Sequence, residues 1–257
     1  LSFRRWEQLT PDCLDQGPAL VYLPCQELPG HEDALRRWAQ AYPDIGFGVV
    51  LPRVVWDREL PRLRRELEAA RQAGVTQALL GHIGQLPLAR SFGLIPRGDF
   101  GLGLTNDETA AELARLGFAS ATASFESRLA QIRDLSKPLD LELLVYGRLP
   151  LMLMEHCILR NRGQGCHCQD KPQSLGDRKG EHFPVESAWG CRNELFNAKP
   201  LWLADKTDWR TAGAAYARLA FLREGPGECA RVFRAYREGA GEPPRAFTRG
   251  LYYRGVE

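Results

Sequence analysis

At 257 residues, with 44% hydrophobic and 26% charged residues, the chain is long enough to bury a large core and has the balance of an ordinary globular protein. A formal net charge of +2 gives no whole-chain electrostatic case for nucleic acid or a membrane surface. No apolar run approaches the ~20 residues that span a bilayer, and no basic and then apolar leader opens the chain, so a cytoplasmic location is expected. The first residue is Leu1 rather than Met, from which further residues upstream are expected.

In chain order, short apolar runs alternate with amphipathic ones. Strands are expected at 19–23, 46–51, 77–80, 100–104, 119–124 and 141–146, with helices at 31–41, 58–73, 85–92, 107–116 and 126–135 between them. In 58–73, Leu60, Leu63, Leu67 and Ala70 are spaced three, four and three, one buried stripe. Arg58, Arg62, Arg64 and Arg65 alternate with Glu59, Glu66 and Glu68, which predicts a solvated face opposite it. Asn106 and the carboxylates after it form an amino-terminal cap, and Gly117 a stop. Strands recurring every 20 to 30 residues carry the rhythm of βα units and a parallel sheet. No glycine-rich dinucleotide fingerprint follows a strand, which favours a closed barrel over an open sheet.

From 151 to 197 the periodicity fades, and a stretch of that length without strong secondary structure needs something else to organise it. Beyond it, strands are expected at 201–204 and 218–222 and a helix at 226–237, ahead of an extended tail. Three parts follow: a barrel core over 1–150, a cysteine-bearing segment over 151–200, and a closing strand, helix and tail over 201–257.

Four cysteines, Cys157, Cys166, Cys168 and Cys191, lie in that middle segment. Paired C-x2-C knuckles, the usual zinc signature, are absent, and thiolates at uneven spacing suit an iron–sulfur cluster at least as well. His156, His167 and His182 keep a mixed zinc site open. Cys13, Cys25 and Cys229 read as ordinary core or surface residues. Polar residues also gather at strand ends. His82, Asn106, Glu126 and Arg148 each follow a strand, the positions that form the active-site rim of a β/α barrel. Asp99 sits in the apolar run Gly98-Asp99-Phe100-Gly101-Leu102, where a carboxylate needs a partner such as Arg97 or Arg148, or a ligand.

Several spaced motifs carry a resemblance. They are Val145-Tyr146-Gly147-Arg148-Leu149-Pro150-Leu151-Met152-Leu153-Met154-Glu155-His156-Cys157, Asp177-Arg178-Lys179-Gly180 with Phe183-Pro184-Val185, and Cys191-Arg192-Asn193-Glu194-Leu195-Phe196-Asn197. Together with Gly98-Asp99-Phe100-Gly101-Leu102 and Phe247-Thr248-Arg249-Gly250, they resemble the collagenase-like peptidase family U-32, in particular its long bacterial members. The resemblance runs from about residue 19 to the end of the chain. It implies a TIM-like α/β barrel followed by a cysteine-bearing irregular segment. The family's first strand, with its Pro-Ala-Gly turn, has no counterpart here, so residues upstream or another chain are expected to complete the barrel.

The family name says peptidase, yet no Ser-His-Asp signature, His-Glu-x-x-His motif or paired aspartates occur here. Related branches are associated with hydroxylation of RNA or quinone precursors, some with an iron–sulfur cluster on four cysteines. Cys157, Cys166 and Cys191 match cysteine positions of that branch, Cys168 lies closer to Cys166 than in relatives, and Pro150 stands where cluster-binding relatives carry a cysteine. The resemblance thus implies an oxygen-independent hydroxylase acting on RNA or a small aromatic, with His82, Asp99, Glu126 and Arg148 lining its pocket. A metal-dependent peptidase with Glu155 or Glu126 as general base is the second reading. A structural clasp with no chemistry is the third.

Overall fold

The computed structural model describes residues 1–158, 160 and 172–255. Seven parallel strands form one curled sheet in the order β1 (Leu20–Pro24), β2 (Gly46–Val50), β3 (Gln77–Leu80), β4 (Ile95–Gly98), β5 (Ser120–Thr122), β6 (Asp140–Gly147) and β12 (Tyr216–Leu219). Residues 1–3 lie between its two edges. Ser2 bridges Tyr22 of β1 on one side and Ala220, just past β12, on the other. Its amide donates to the Leu219 carbonyl at 2.8 Å and its carbonyl accepts from the Phe221 amide at 2.8 Å. One bridging residue therefore joins the two edges of the curled sheet, where a complete TIM-like barrel has a full strand.

The short α1 (Pro11–Leu14) precedes β1; helices α2 (Glu32–Ala41), α3 (Leu60–Gln72), α4 (Leu86–Ser91), α5 (Asp107–Arg115) and α6 (Leu129–Asp134) follow β1, β2, β3, β4 and β5, and α7 (Pro226–Glu238) follows β12. The main core lies between strands and helices: Leu63, Leu67 and Ala70 of α3 meet Val21, Val49 and Ala78 there. Asn106 caps α5 by accepting from the Thr109 amide at 2.9 Å, and Gly117 ends the turn beyond it at φ +73°, where an L side chain would be strained. Inside the ring Leu20, Tyr22 and Leu79, with Val50 beside them, form a small apolar cluster of their own. Arg97, Ser120, Thr122, Glu142 and Arg218 share that lumen.

Two expectations change. The strand expected at 100–104 falls instead at Ile95–Gly98, and Phe100–Leu102 is a short 3-10 turn. Pro96, Arg97 and Gly98 hid that strand, because each is a poor strand former outside a lumen that needs an inward arginine and a close backbone approach. The segment 151–197 is also richer in structure than its periodicity suggests. It holds four antiparallel strands, β7 (Pro150–Met154), β8 (Gln173–Gly176), β9 (His182–Ala188) and β10 (Arg192–Phe196), in the sheet order β7-β10-β9-β8. Antiparallel ladders satisfy the backbone here without a long apolar run. The short β11 (Leu201–Trp202) then pairs antiparallel with the end of β6.

The small sheet sits over the carboxyl ends of the parallel strands as a roof. β7 begins three residues after β6 ends. Ion pairs tie the roof down: Arg4 Nη1 and Arg53 Nη2 hold the two oxygens of Glu194 at 2.8 and 2.6 Å, and Arg223 pairs with Glu186. The Trp189 indole donates to Glu66 of α3 at 2.7 Å. Glu66 is thus buried, whereas its pattern had placed it on the solvated face with Arg62 and Arg65.

Candidate active site at the barrel mouth

Between the roof and the strand ends lies a cavity of about 180 Å³. Its floor is the lumen. There Arg218 of β12, 4% exposed, donates to Asp99 Oδ1 at 2.5 Å and lies 3.1 Å from Glu142 Oε1, with Thr122 Oγ1 at 3.2 Å. Burial opposes the Arg218 charge, yet the adjacent Asp99 and Glu142 hold its guanidinium above the ordinary range. Asp99 stands immediately after β4, at the rim, and accepts from the Phe100 amide at 2.8 Å. Lower in the lumen, Arg97 donates to Gln77 and to Ser120 Oγ, the latter at 2.8 Å, and lies over the Tyr216 ring. The Tyr22 hydroxyl, in the same lumen, has no hydrogen-bond partner among the described residues, and burial raises its pKa.

The walls come from several strand ends. Cys25 and Gln26 follow β1, Pro52 and Arg53 follow β2, Arg148 follows β6, and Phe221 and Leu222 follow β12. The roof contributes Leu153, Trp189, Arg192, Glu194 and Phe196. Arg192 is gripped by Glu155 at 2.5 and 3.0 Å and by Glu59 at 3.0 and 3.2 Å. Arg192, with Trp56, lowers the Glu155 pKa, and at Glu59 burial raises the pKa but the Arg192 pair outweighs it. The Cys25 thiol donates to Glu66 at 3.0 Å, and burial beside that carboxylate raises its pKa well above the usual thiol value.

Of the residues singled out by sequence, Asp99 and Arg148 line this cavity. The expected partner of Asp99 is corrected: it is Arg218, since Arg97 points to Gln77 and Ser120, and Arg148 donates to the Asn197 and Ala198 carbonyls. Glu155 is exposed on the outer side of Arg192. His82 and Glu126 stand apart from the cavity lining. His82 is exposed and its Nδ1 accepts from the Gly84 amide at 3.1 Å, while exposed Glu126 takes its place in a turn through the Ser124 hydroxyl. Arg4, Arg53, Glu142, Arg192, Glu194 and Arg218 were not singled out as site residues, although Arg192 and Glu194 stand in one of the resemblance motifs. Glu142 and Arg218 gave the same signal as Asp99, a charge on an otherwise apolar strand.

Cys157, half-buried, follows β7, and exposed Cys191 precedes β10. The β7–β10 register pairs Met154 with Asn193, so both thiols lie at one end of adjacent strands, where the Asn193 side chain accepts from the Ile158 amide at 2.8 Å. Cys191 adopts φ +62° and is the non-glycine residue with positive φ among the described residues. Cys166 and Cys168 lie outside the described residues. Among the described residues, no group of three or more His, Cys, Asp or Glu side chains is placed to hold a metal. No described helix is long and apolar enough to cross a membrane.

The architecture is that of an α/β protein with a curled parallel sheet and, at its carboxyl mouth, a cavity with mostly apolar walls and a charged floor. No family model matches the chain, and no curated protein does either. Among solved structures, the U32 peptidase Mk0906 aligns with a TM-score of 0.40 and 17% identity over 57% of this chain and 67% of its own. A CutC protein from Streptococcus agalactiae gives 0.39 and 16% over 56% and 86% of the two chains. A GH18 chitinase from Cycas revoluta gives 0.41 and 10% over 93% and 98%. At these scores the likenesses carry no argument about chemistry.

Proposed function

We propose that the protein is a U-32-type barrel enzyme that transforms a small, largely apolar molecule in the roofed cavity. The observation that carries this is the cavity itself, at the strand ends where β/α barrels place their chemistry, with the buried Asp99–Arg218–Glu142 array as its floor. A cavity of about 150 Å³ accommodates benzene, so about 180 Å³ suits one ring with a substituent. A ring-sized site favours the small-aromatic form of the hydroxylase reading, or a single base of an RNA, over an extended peptide. Asp99 is a carboxylate in reach of a ligand, able to accept and return a proton, and Arg218 fixes its orientation.

In the same reading, Cys157 and Cys191 are two ligands of an iron–sulfur cluster, with Cys166 and Cys168 as the remaining candidates and zinc as the alternative metal. The places of the first two at one end of β7 and β10, with Cys191 held in a strained left-handed turn, support this. A cluster would supply electron transfer. The chain's own residues bind and orient the substrate and hold the proton at Asp99. Anaerobic purification tests the cluster: brown protein containing iron and sulfide in near-equal amounts is expected, and colourless protein containing only zinc would overturn it. Loss of colour is expected in both Cys157→Ser and Cys191→Ser. Hydrolysis of a peptide, lost on Glu155→Gln with metal retained, would instead establish the peptidase reading.

A further inference from the structure

The charges around the cavity do not balance locally. Arg192 meets two carboxylates, Glu59 and Glu155, and Arg218 meets two, Asp99 and Glu142. Arg4 and Arg53, in contrast, share the single carboxylate of Glu194. Arg148 has no carboxylate bound to it among the described residues. Its guanidinium donates to the Asn197 and Ala198 carbonyls, half-buried at the cavity wall. Glu224 is the acidic group acting on it, but that carboxylate is engaged by the Leu222 and Arg223 amides at 2.6 and 2.9 Å and by the Tyr146 hydroxyl at 3.0 Å. Burial pulls the Arg148 pKa down from its ordinary range, the mark of an incompletely compensated cation.

These two positive places lie on one side of the cavity. Arg4 stacks over the Phe196 ring at 5.7 Å, and Arg148 binds the carbonyl of the next residue, Asn197. Phe196 thus offers an apolar face between them, with Leu153 and Leu222 also lining the wall. The acidic floor at Asp99, with Glu142 behind it on the far side of Arg218, lies elsewhere. A ligand matching this wall has a ring or short apolar body and one negative group. A phosphate monoester carries about −1.5 to −2 at neutral pH, more than one such cation matches, whereas a carboxylate carries one charge and fits a guanidinium fork.

We propose that the cavity selects a small organic carboxylate, with Arg148 as the residue that anchors its negative group. This rests on the cavity being the substrate site and adds the class of molecule it takes.

Isothermal titration of the full-length, anaerobically prepared protein with benzoate, benzamide and phenyl phosphate tests both. Benzoate is expected to bind at least about tenfold more tightly than either of the others, and Arg148→Gln to weaken it about tenfold or more. Arg148→Lys, which keeps the charge, is expected to recover part of that loss, separating anchoring from a general loosening of the 197–198 turn. Benzoate bound equally by wild type and Arg148→Gln, or no more tightly than benzamide or phenyl phosphate, would overturn the anchor while leaving the cavity as a ring site. If none of the three binds, the ring-sized substrate site fails together with the anchor.

Discussion

Arg218 is the residue on which the mouth depends. It sits between Asp99 and Glu142, and deleting its charge leaves two buried carboxylates facing each other without compensation. Breaking a buried pair in this way typically costs about 3–5 kcal/mol. Arg218→Met is therefore expected to lower unfolding free energy in urea by about that amount, and a loss below about 1 kcal/mol would mean that the array is not buried in solution. Gly147 is the second such position. Its φ of +118° belongs to glycine, and a Cβ there would run into the Ala220 carbonyl oxygen across the β6–β12 seam. Gly147→Ala is expected to cost about 1–3 kcal/mol from the backbone conformation alone, seen as a lower Tm, and to disturb Arg148 beside it.

At the scale of elements, the roof is held by carboxylates whose protonation releases it. Glu59 and Glu155 titrate below their ordinary value of 4.5 because both grip Arg192. A carboxyl group whose folded pKa is depressed contributes stability above its unfolded pKa and loses it as pH falls through the folded one. The contribution is thus complete at neutral pH and fades below about 4.5, the window in which the roof is expected to loosen. Fluorescence of a variant that keeps Trp189 and carries Phe at the other five tryptophans is expected to change there as the pH falls from 7, and Arg192→Met in that background is expected to flatten the change. A response identical with and without Arg192→Met would show that other groups govern it.

Much of the element order is visible in the sequence, and the reasons for the misses are physical. β3 was readable to the residue because Gln77-Ala78-Leu79-Leu80 is apolar and bounded by glycine and threonine. The α3 stripe at Leu63, Leu67 and Ala70 was equally plain. β4 was hidden because its inward residue is Arg97, paired in the lumen with groups from β3 and β5, a solution that exists only after the sheet has curled. The roof strands were hidden because a half-exposed antiparallel sheet with Leu151 and Met152 facing outward breaks the alternation a single buried face would impose. Asp99 and Arg148 were recoverable as site residues from their places at strand ends. The Arg4–Glu194–Arg53 clamp joins residues about 190 and 141 positions apart and leaves no local trace.

On the scale of the whole molecule, the parallel ring, the bridging residue Ser2 and the four-stranded roof enclose one polar-floored cavity, the proposed ligand site. Residues from opposite ends of the chain meet there, Arg4 near the start and Arg218 near the close, so the mouth exists only once the ring has formed. Hydrogen-exchange mass spectrometry with and without saturating benzoate tests this most directly. Slowed exchange is expected at 50–54, 144–153 and 188–196, the segments around the cavity, and unchanged exchange along α5 and α6. Protection confined to other segments, with bound benzoate demonstrated, would contradict it.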